Sequence, residues 1–187
     1  MQKIVRYKTK KIVLKKGRFI NFVSRGGWEY IERNNCSGAV IIVAVTNDQQ
    51  VLFVEQYRPP VDRYVIEFPA GLIDDLNTKK KETCVQAAKR ELLEETGYQA
   101  KMIKKLIHGP AACGTSSDLL TMVLATGLKK VHDGGGDELE SIVTHVVPLS
   151  GVEDWLKRME RKGYLIGTRL YAGLYFLNKY NNTKSIK

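Results

Sequence analysis

The sequence predicts an α+β fold, a mixed β-sheet sandwiched between helices, with a small antiparallel β-sheet ahead of it. Three observations lead there. The order of segments is strands, one helix, more strands, and two closing helices. A pair of apolar runs, residues 40–45 and 51–57, are continuous rather than alternating, the pattern of strands buried on both faces. Ahead of them lie three short β-branched and aromatic runs separated by glycine-bearing turns.

Residues 1–35 supply those short runs: Lys11 to Leu14, Arg18 to Val23 after Lys16-Gly17, and Trp28 to Arg33 after Gly26-Gly27. They predict a three-stranded meander. Such a sheet has open edges and little core of its own, so it needs a partner surface, and docking or exchange in a homodimer is expected. Residues 36–180 form the main domain and 181–187 a polar tail. The runs at 40–45 and 51–57 flank Thr46-Asn47-Asp48-Gln49-Gln50, a hairpin signal. Arg58-Pro59-Pro60 ends the second run, and Tyr64 to Phe68 begins another strand before Pro69-Ala70-Gly71.

Thr83-Cys84-Val85-Gln86 has the pattern of a capping box, so a helix starts near Cys84, and Gly97 is a natural left-handed stop. Val85, Ala88, Leu92 and Leu93 give this helix an apolar stripe. Residues 101–108, 119–125 and 142–147 read as strands, and 151–161 and 168–180 as helices. No internal repeat is evident.

The helix from Cys84 carries the chemistry. Residues three and four apart share a helical face, so Glu91, Glu94 and Glu95 project together. Their repulsion costs a few tenths of a kcal/mol per pair, a cost a divalent cation between them would remove. A Mg²⁺ or Mn²⁺ platform is therefore one reading, and a solvated acidic face the plain alternative.

Glu82, seven residues, then Arg90-Glu91-Leu92-Leu93-Glu94-Glu95-Thr96-Gly97-Tyr98 resembles the second part of the Nudix box. Ahead of it, Gly71 is followed by ten residues before Glu82 where the family has five, as though Leu76 to Lys80 or a similar piece had been inserted. Since the insertion precedes the cap at Thr83, it lengthens a loop without changing the phase of the carboxylates. Glu55-Gln56-Tyr57-Arg58-Pro59-Pro60 and Glu67-Phe68-Pro69-Ala70-Gly71-Leu72-Ile73-Asp74 are similar to the ADP-ribose pyrophosphatase branch of Nudix hydrolases. Trp28-Glu29-Tyr30-Ile31-Glu32-Arg33 looks like the stretch with which that branch holds adenine and phosphate in a dimer. The resemblance runs from about residue 28 to the final helix.

What the resemblance implies is Mg²⁺-dependent cleavage of a nucleoside diphosphate sugar, ADP-ribose above all, to AMP and ribose 5-phosphate, with Mn²⁺ as a possible substitute. Glu91 and Glu95 would be the principal metal ligands and Glu94 would assist in binding and catalysis. The backbone carbonyl of Ala70 would complete the site, and Arg90 with Glu82 would be an orienting ion pair. Cleavage also needs a base for the attacking water. Counting back from His145-Val146-Val147-Pro148, Glu140 falls where the family's catalytic glutamate lies, with Glu138 the alternative, and the three glycines Gly134-Gly135-Gly136 before them read as a hinge.

Arg33 and Arg58 are candidates for phosphate, because a guanidinium forks onto phosphate oxygens. Trp28 offers a face to adenine, Glu29 an acceptor for its exocyclic amine, and Leu72 joins the substrate-binding set. Each has an ordinary alternative: Trp28 as core of the small sheet, Glu29 and Arg33 as cross-strand charges. The loop Gly114-Thr115-Ser116-Ser117-Asp118 resembles one bordering the family's cleft, but with Cys113-Gly114 in place of its proline-glycine opening it receives no role.

Bulk properties narrow the classes further. With 187 residues, 43% hydrophobic and 27% charged, the chain is long enough for a real core. No run suits a membrane span and no signal-peptide core follows Met1, so a cytosolic location is expected. Cys36, Cys84 and Cys113 have no metal-ligand spacing, and neither do His108, His132 and His145, so free thiols are expected and zinc is not. The net charge of +10 invites nucleic acid, but the lysines are scattered without interleaved aromatics, and the same field draws in a diphosphate. Two further readings are a Nudix hydrolase of another nucleotide sugar or dinucleotide, and a module that binds nucleotide or RNA without cutting it.

Overall fold

The structure, a computed structural model, describes residues 9–74, 81–136 and 141–184, with side chains up to 180. Three strands, β1 (Ile12–Lys16), β2 (Ile20–Arg25) and β3 (Trp28–Arg33), form the expected antiparallel meander. Gly26 and Gly27 both take positive φ, 61° and 84°, as the two-residue turn that pairs Arg25 with Trp28 requires. Val23 is fully buried, while Ile12, Leu14, Phe19, Phe22 and Trp28 remain exposed.

The remaining strands do not make one sheet. β10 (Ile142–Pro148), β5 (Gln50–Arg58), β6 (Arg63–Glu67) and β11 (Leu165–Ile166) form one four-stranded sheet; β7 (Ala70–Ile73), β4 (Gly38–Ala44), β9 (Leu119–Lys130) and β8 (Tyr98–Pro110) form the other. Each is mixed, with one parallel pair, β6 with β11 and β4 with β9. The expected hairpin between residues 40–45 and 51–57 is thereby corrected. β4 spends its two edges on β7 and β9, and β5 on β6 and β10, so only a single bridge, Val45 to Val51, joins them. Both strands are as buried as their continuous apolar runs require.

Helices cover both faces. α1 (Cys84–Thr96) packs with Val40, Ile42, Leu52 and Val123. On the other side α2 (Val152–Arg161) and α3 (Arg169–Lys184) bury Leu156, Leu170 and Leu177 against Val43, Phe53 and Leu124. α1 begins with the predicted capping box between Thr83 and Gln86 and stops at Gly97, φ 74°. Its apolar stripe differs from the expected one: Val85 is exposed and Leu93 half-buried, whereas Ala87, Ala88 and Leu92 are buried together with Glu91, Glu95 and Thr96. Among the described residues no helix is long and apolar enough to cross a membrane. The supposed insertion, Leu76 to Lys80, lies outside the described residues.

Candidate active site

β7 brings Gly71 against the buried side of α1. A Cβ on Gly71 would sit 1.9 Å from Cδ and 2.0 Å from Oε1 of Glu91, so no other residue lets the strand approach this carboxylate. One residue earlier, the Ala70 N–H donates to Oε2 of Glu95 at 3.1 Å. Glu91 and Glu95, one helical turn apart, are only 9% and 4% exposed. Two buried carboxylates at that spacing carry a large desolvation cost unless cations or donors meet them.

Arg90 is one such cation. Its Nε and Nη2 form a fork on Glu82, at 2.9 and 3.1 Å, and Nη1 reaches Glu91 at 2.8 Å and Glu94 at 3.1 Å. Nη2 also donates to the carbonyl of Leu72 at 3.1 Å, tying the helix to β7. These bonds hold the guanidinium proton well above its ordinary range and, through Arg90 first, hold the Glu82 carboxyl below the usual carboxylate value. Glu82 and Asp74 exchange two further bonds, side chain to backbone in each direction. The orienting pair of Arg90 and Glu82 is therefore present. The three helical carboxylates are divided: Glu91 and Glu94 meet at one guanidinium nitrogen, and Glu95 turns to Ala70.

The donor set suits a hard divalent cation: carboxylate oxygens, two of them on buried side chains, beside a strand held close by glycine. Among the described residues no three His, Cys, Asp or Glu side chains stand as a closed ligand cluster. Glu91, Glu94 and Glu95 are the side chains that would hold such an ion. Of Ala70, the group facing Glu95 is the N–H.

The C-terminal end of α1 is closed by a segment distant in sequence. Gly97 N donates to Leu93 O at 2.8 Å, Gly136 N to Glu94 O at 3.1 Å, and Gly135 N to Glu95 O at 3.0 Å. Thr144 Oγ1 adds a second bond to Glu95 O at 3.2 Å. These bonds satisfy carbonyls that a helix end leaves without partners. Within Gly134-Gly135-Gly136, the stretch read as a hinge, Gly135 and Gly136 bond the end of α1, and a Cβ on Gly134 would lie 2.5 Å from the Glu95 carbonyl oxygen. Glu138 and Glu140 lie outside the described residues.

The binding candidates fall in two places. Trp28, 56% exposed, and Glu29 lie at the start of β3, and Arg33 ends it. Arg33 Nε bonds Asp118 at 3.2 Å, and Ile31 exchanges backbone bonds with Thr115 and Ser117. The loop left without a role therefore docks the small sheet onto the main domain. Arg58 lies at the end of β5 and donates from Nε to Glu67 at 2.7 Å. Leu72 is half-buried in β7 and contributes its carbonyl to Arg90. The partners Asp118, Thr144 and Glu67 were not legible from sequence; strand-to-loop, strand-to-helix and cross-strand contacts respectively bring them in.

A profile of the NUDIX domain matches residues 37–162, and the chain belongs to the Nudix hydrolase family. It is 33% identical over 139 residues to an ADP-ribose pyrophosphatase of Bacillus subtilis, a match covering 74% of this chain and 71% of that protein. An uncharacterized Nudix hydrolase of Schizosaccharomyces pombe is 31% identical over 172 residues, covering 81% of this chain and 80% of the relative. A methanol dehydrogenase activator of Bacillus methanolicus is 34% identical over 106 residues, but the match spans only 57% of this chain and 55% of that one. A crystal structure of an ADP compounds hydrolase shares the fold with a TM-score of 0.72 at 23% identity, over 94% of this chain and 93% of that one.

Proposed function

We propose that this Nudix hydrolase cleaves the diphosphate of a nucleoside diphosphate sugar, ADP-ribose first, to AMP and ribose 5-phosphate. The observation that carries the reading is the approach of Gly71 to buried Glu91, beside Glu95 and the Arg90 network. Matches to ADP-ribose pyrophosphatases, the one from Bacillus subtilis among them, support the substrate class. Glu91, Glu94, Glu95 and the carbonyl of Ala70 would hold Mg²⁺, which would supply neutralisation of phosphate charge and activation of water. Mn²⁺ would serve the same donor set.

The residues of the chain do the rest. Arg90 keeps α1 in register with β7, so Glu91 and Glu95 stay beside the strand that carries Ala70. Arg33 and Arg58 neutralise the diphosphate, Trp28 stacks on adenine, Glu29 accepts from its amine, and Leu72 joins them in holding the substrate. Glu140, or Glu138 in its place, removes a proton from the attacking water. The water oxygen bonds to one phosphorus, the bridging P–O bond breaks, and the leaving phosphate takes up the proton. The exposed apolar side chains of β1 to β3 suit a homodimer in which this sheet docks on a second copy. The location is the cytosol.

The test is chromatography of nucleotides released from ADP-ribose with Mg²⁺. AMP release by the wild type, lost in Glu95→Gln while the thermal midpoint stays within a few degrees, is the expected outcome. Undiminished turnover in that variant would refute the metal assignment. No turnover of ADP-ribose by folded wild type would refute the substrate.

A further inference from the structure

Thr144 in β10, Val54 in β5 and Glu67 in β6 stand directly opposite one another across the ladder. Directly paired residues leave the same face of a sheet. Thr144 identifies that face, because its hydroxyl bonds the carbonyl of Glu95: it is the face under α1. Counting along β5 in steps of two, buried Gln56 and then Arg58 share it.

Arg58 stands opposite Arg63, yet its side chain runs back along the ladder until Nε meets Glu67 Oε2 at 2.7 Å. Glu67 lies three residues ahead of Ala70, whose N–H bonds Glu95. The contact uses one nitrogen only, and no further bond from this guanidinium to a described residue is present. Arg–carboxylate pairs frequently use the two-nitrogen fork, as Arg90 does on Glu82. Holding Nε alone fixes the plane of the guanidinium and leaves its Nη1 and Nη2 edge for another anion.

We propose that Glu67 is a positioning residue: by holding Nε of Arg58 it presents the other guanidinium edge to the substrate diphosphate beside α1. The proposal rests on the diphosphate-hydrolase reading above. An arginine oriented in advance loses less side-chain freedom on binding, so the contribution falls on substrate affinity. Two other roles are open to Glu67, a surface ion pair of no consequence to catalysis and a proton acceptor, and each makes a different forecast.

Steady-state hydrolysis of ADP-ribose with saturating Mg²⁺ is compared in wild type, Glu67→Ala, Glu67→Gln, Arg58→Ala and the Arg58→Ala/Glu67→Ala double variant, with thermal midpoints as the check on folding. Binding of ADP-ribose is measured by calorimetry in the Glu95→Gln background. Expected are a KM and a Kd raised about tenfold in Glu67→Ala and in Arg58→Ala, with no further rise in the double variant. In Glu67→Gln, which keeps an oxygen for Nε, most of the affinity returns, with kcat within about threefold of wild type and an unchanged pH profile. An unaltered KM in Glu67→Ala, or additive effects in the double variant, overturns the proposal in favour of a plain surface pair. Loss of kcat in Glu67→Gln with a shifted pH profile overturns it in favour of a proton acceptor. If wild type itself fails to turn over ADP-ribose, the hydrolase reading falls and this proposal with it; if wild type is active, these outcomes judge Glu67 alone.

Discussion

Replacing Gly71 with alanine perturbs the site at its closest point. The new Cβ would lie 1.9 Å from Cδ, 2.0 Å from Oε1 and 2.4 Å from Cγ of Glu91, where real Cβ contacts stay beyond 3.0 Å, so the carboxyl group must retreat by more than 1 Å. The clash meets the end of a side chain and not backbone, so the fold has a way to yield. The site has less freedom: Glu91 is buried and bonded to Arg90 Nη1 at 2.8 Å, and retreat breaks that charged bond. Losing it costs about 1.5–3 kcal/mol, which for a chain of this size lowers the thermal midpoint by roughly 3–12 °C. The effect on turnover is larger, because about 1 Å of misplacement in a reacting constellation costs on the order of 100-fold. The assay pairs calorimetric unfolding with AMP release from ADP-ribose over a Mg²⁺ titration. A Gly71→Ala variant with kcat within about threefold of wild type at ordinary Mg²⁺ would refute the claim that Glu91 must sit where Gly71 admits it.

Two further outcomes follow from the same network. Glu82 has a carboxyl pKa depressed by Arg90, so its contribution to stability is present above the ordinary carboxylate range and is lost as pH falls through the lower folded value. Thermal midpoints measured from about pH 6 down to about pH 3 should therefore fall less steeply in Glu82→Gln than in wild type, and parallel curves would refute the coupling. Thr144→Val removes one of two donors to the Glu95 carbonyl and should cost about 0.5–1.5 kcal/mol of stability by denaturant titration, with Thr144→Ser recovering it; equal losses in both variants would mean that the hydroxyl is not the source.

The local features of α1 were legible because they depend on neighbours in sequence. The capping box at Thr83 and Gln86, the stop at Gly97, and the shared face of Glu91 and Glu95 need only helical geometry. The three short strands were legible for the same reason, since glycine-marked turns fix their pairing. Long-range pairing was not. Two continuous apolar runs beside a turn resemble a hairpin, and nothing local reveals that each strand has both edges filled by segments farther away, β9 and β7 for one, β10 and β6 for the other.

Which carboxylates share a helix face follows from their order along the chain, because a spacing of four residues matches the helical period of 3.6. Partners beyond the helix come from other segments of the chain, brought in by the fold. Glu95 meets the N–H of Ala70 and, through its carbonyl, Thr144 49 residues away; Arg33 meets Asp118 85 residues away; Arg58 turns back to Glu67. Those contacts depend on how helix, loop and strands dock and on strand register, both chosen by the packing of the whole core, so no stretch of the chain read alone contains them.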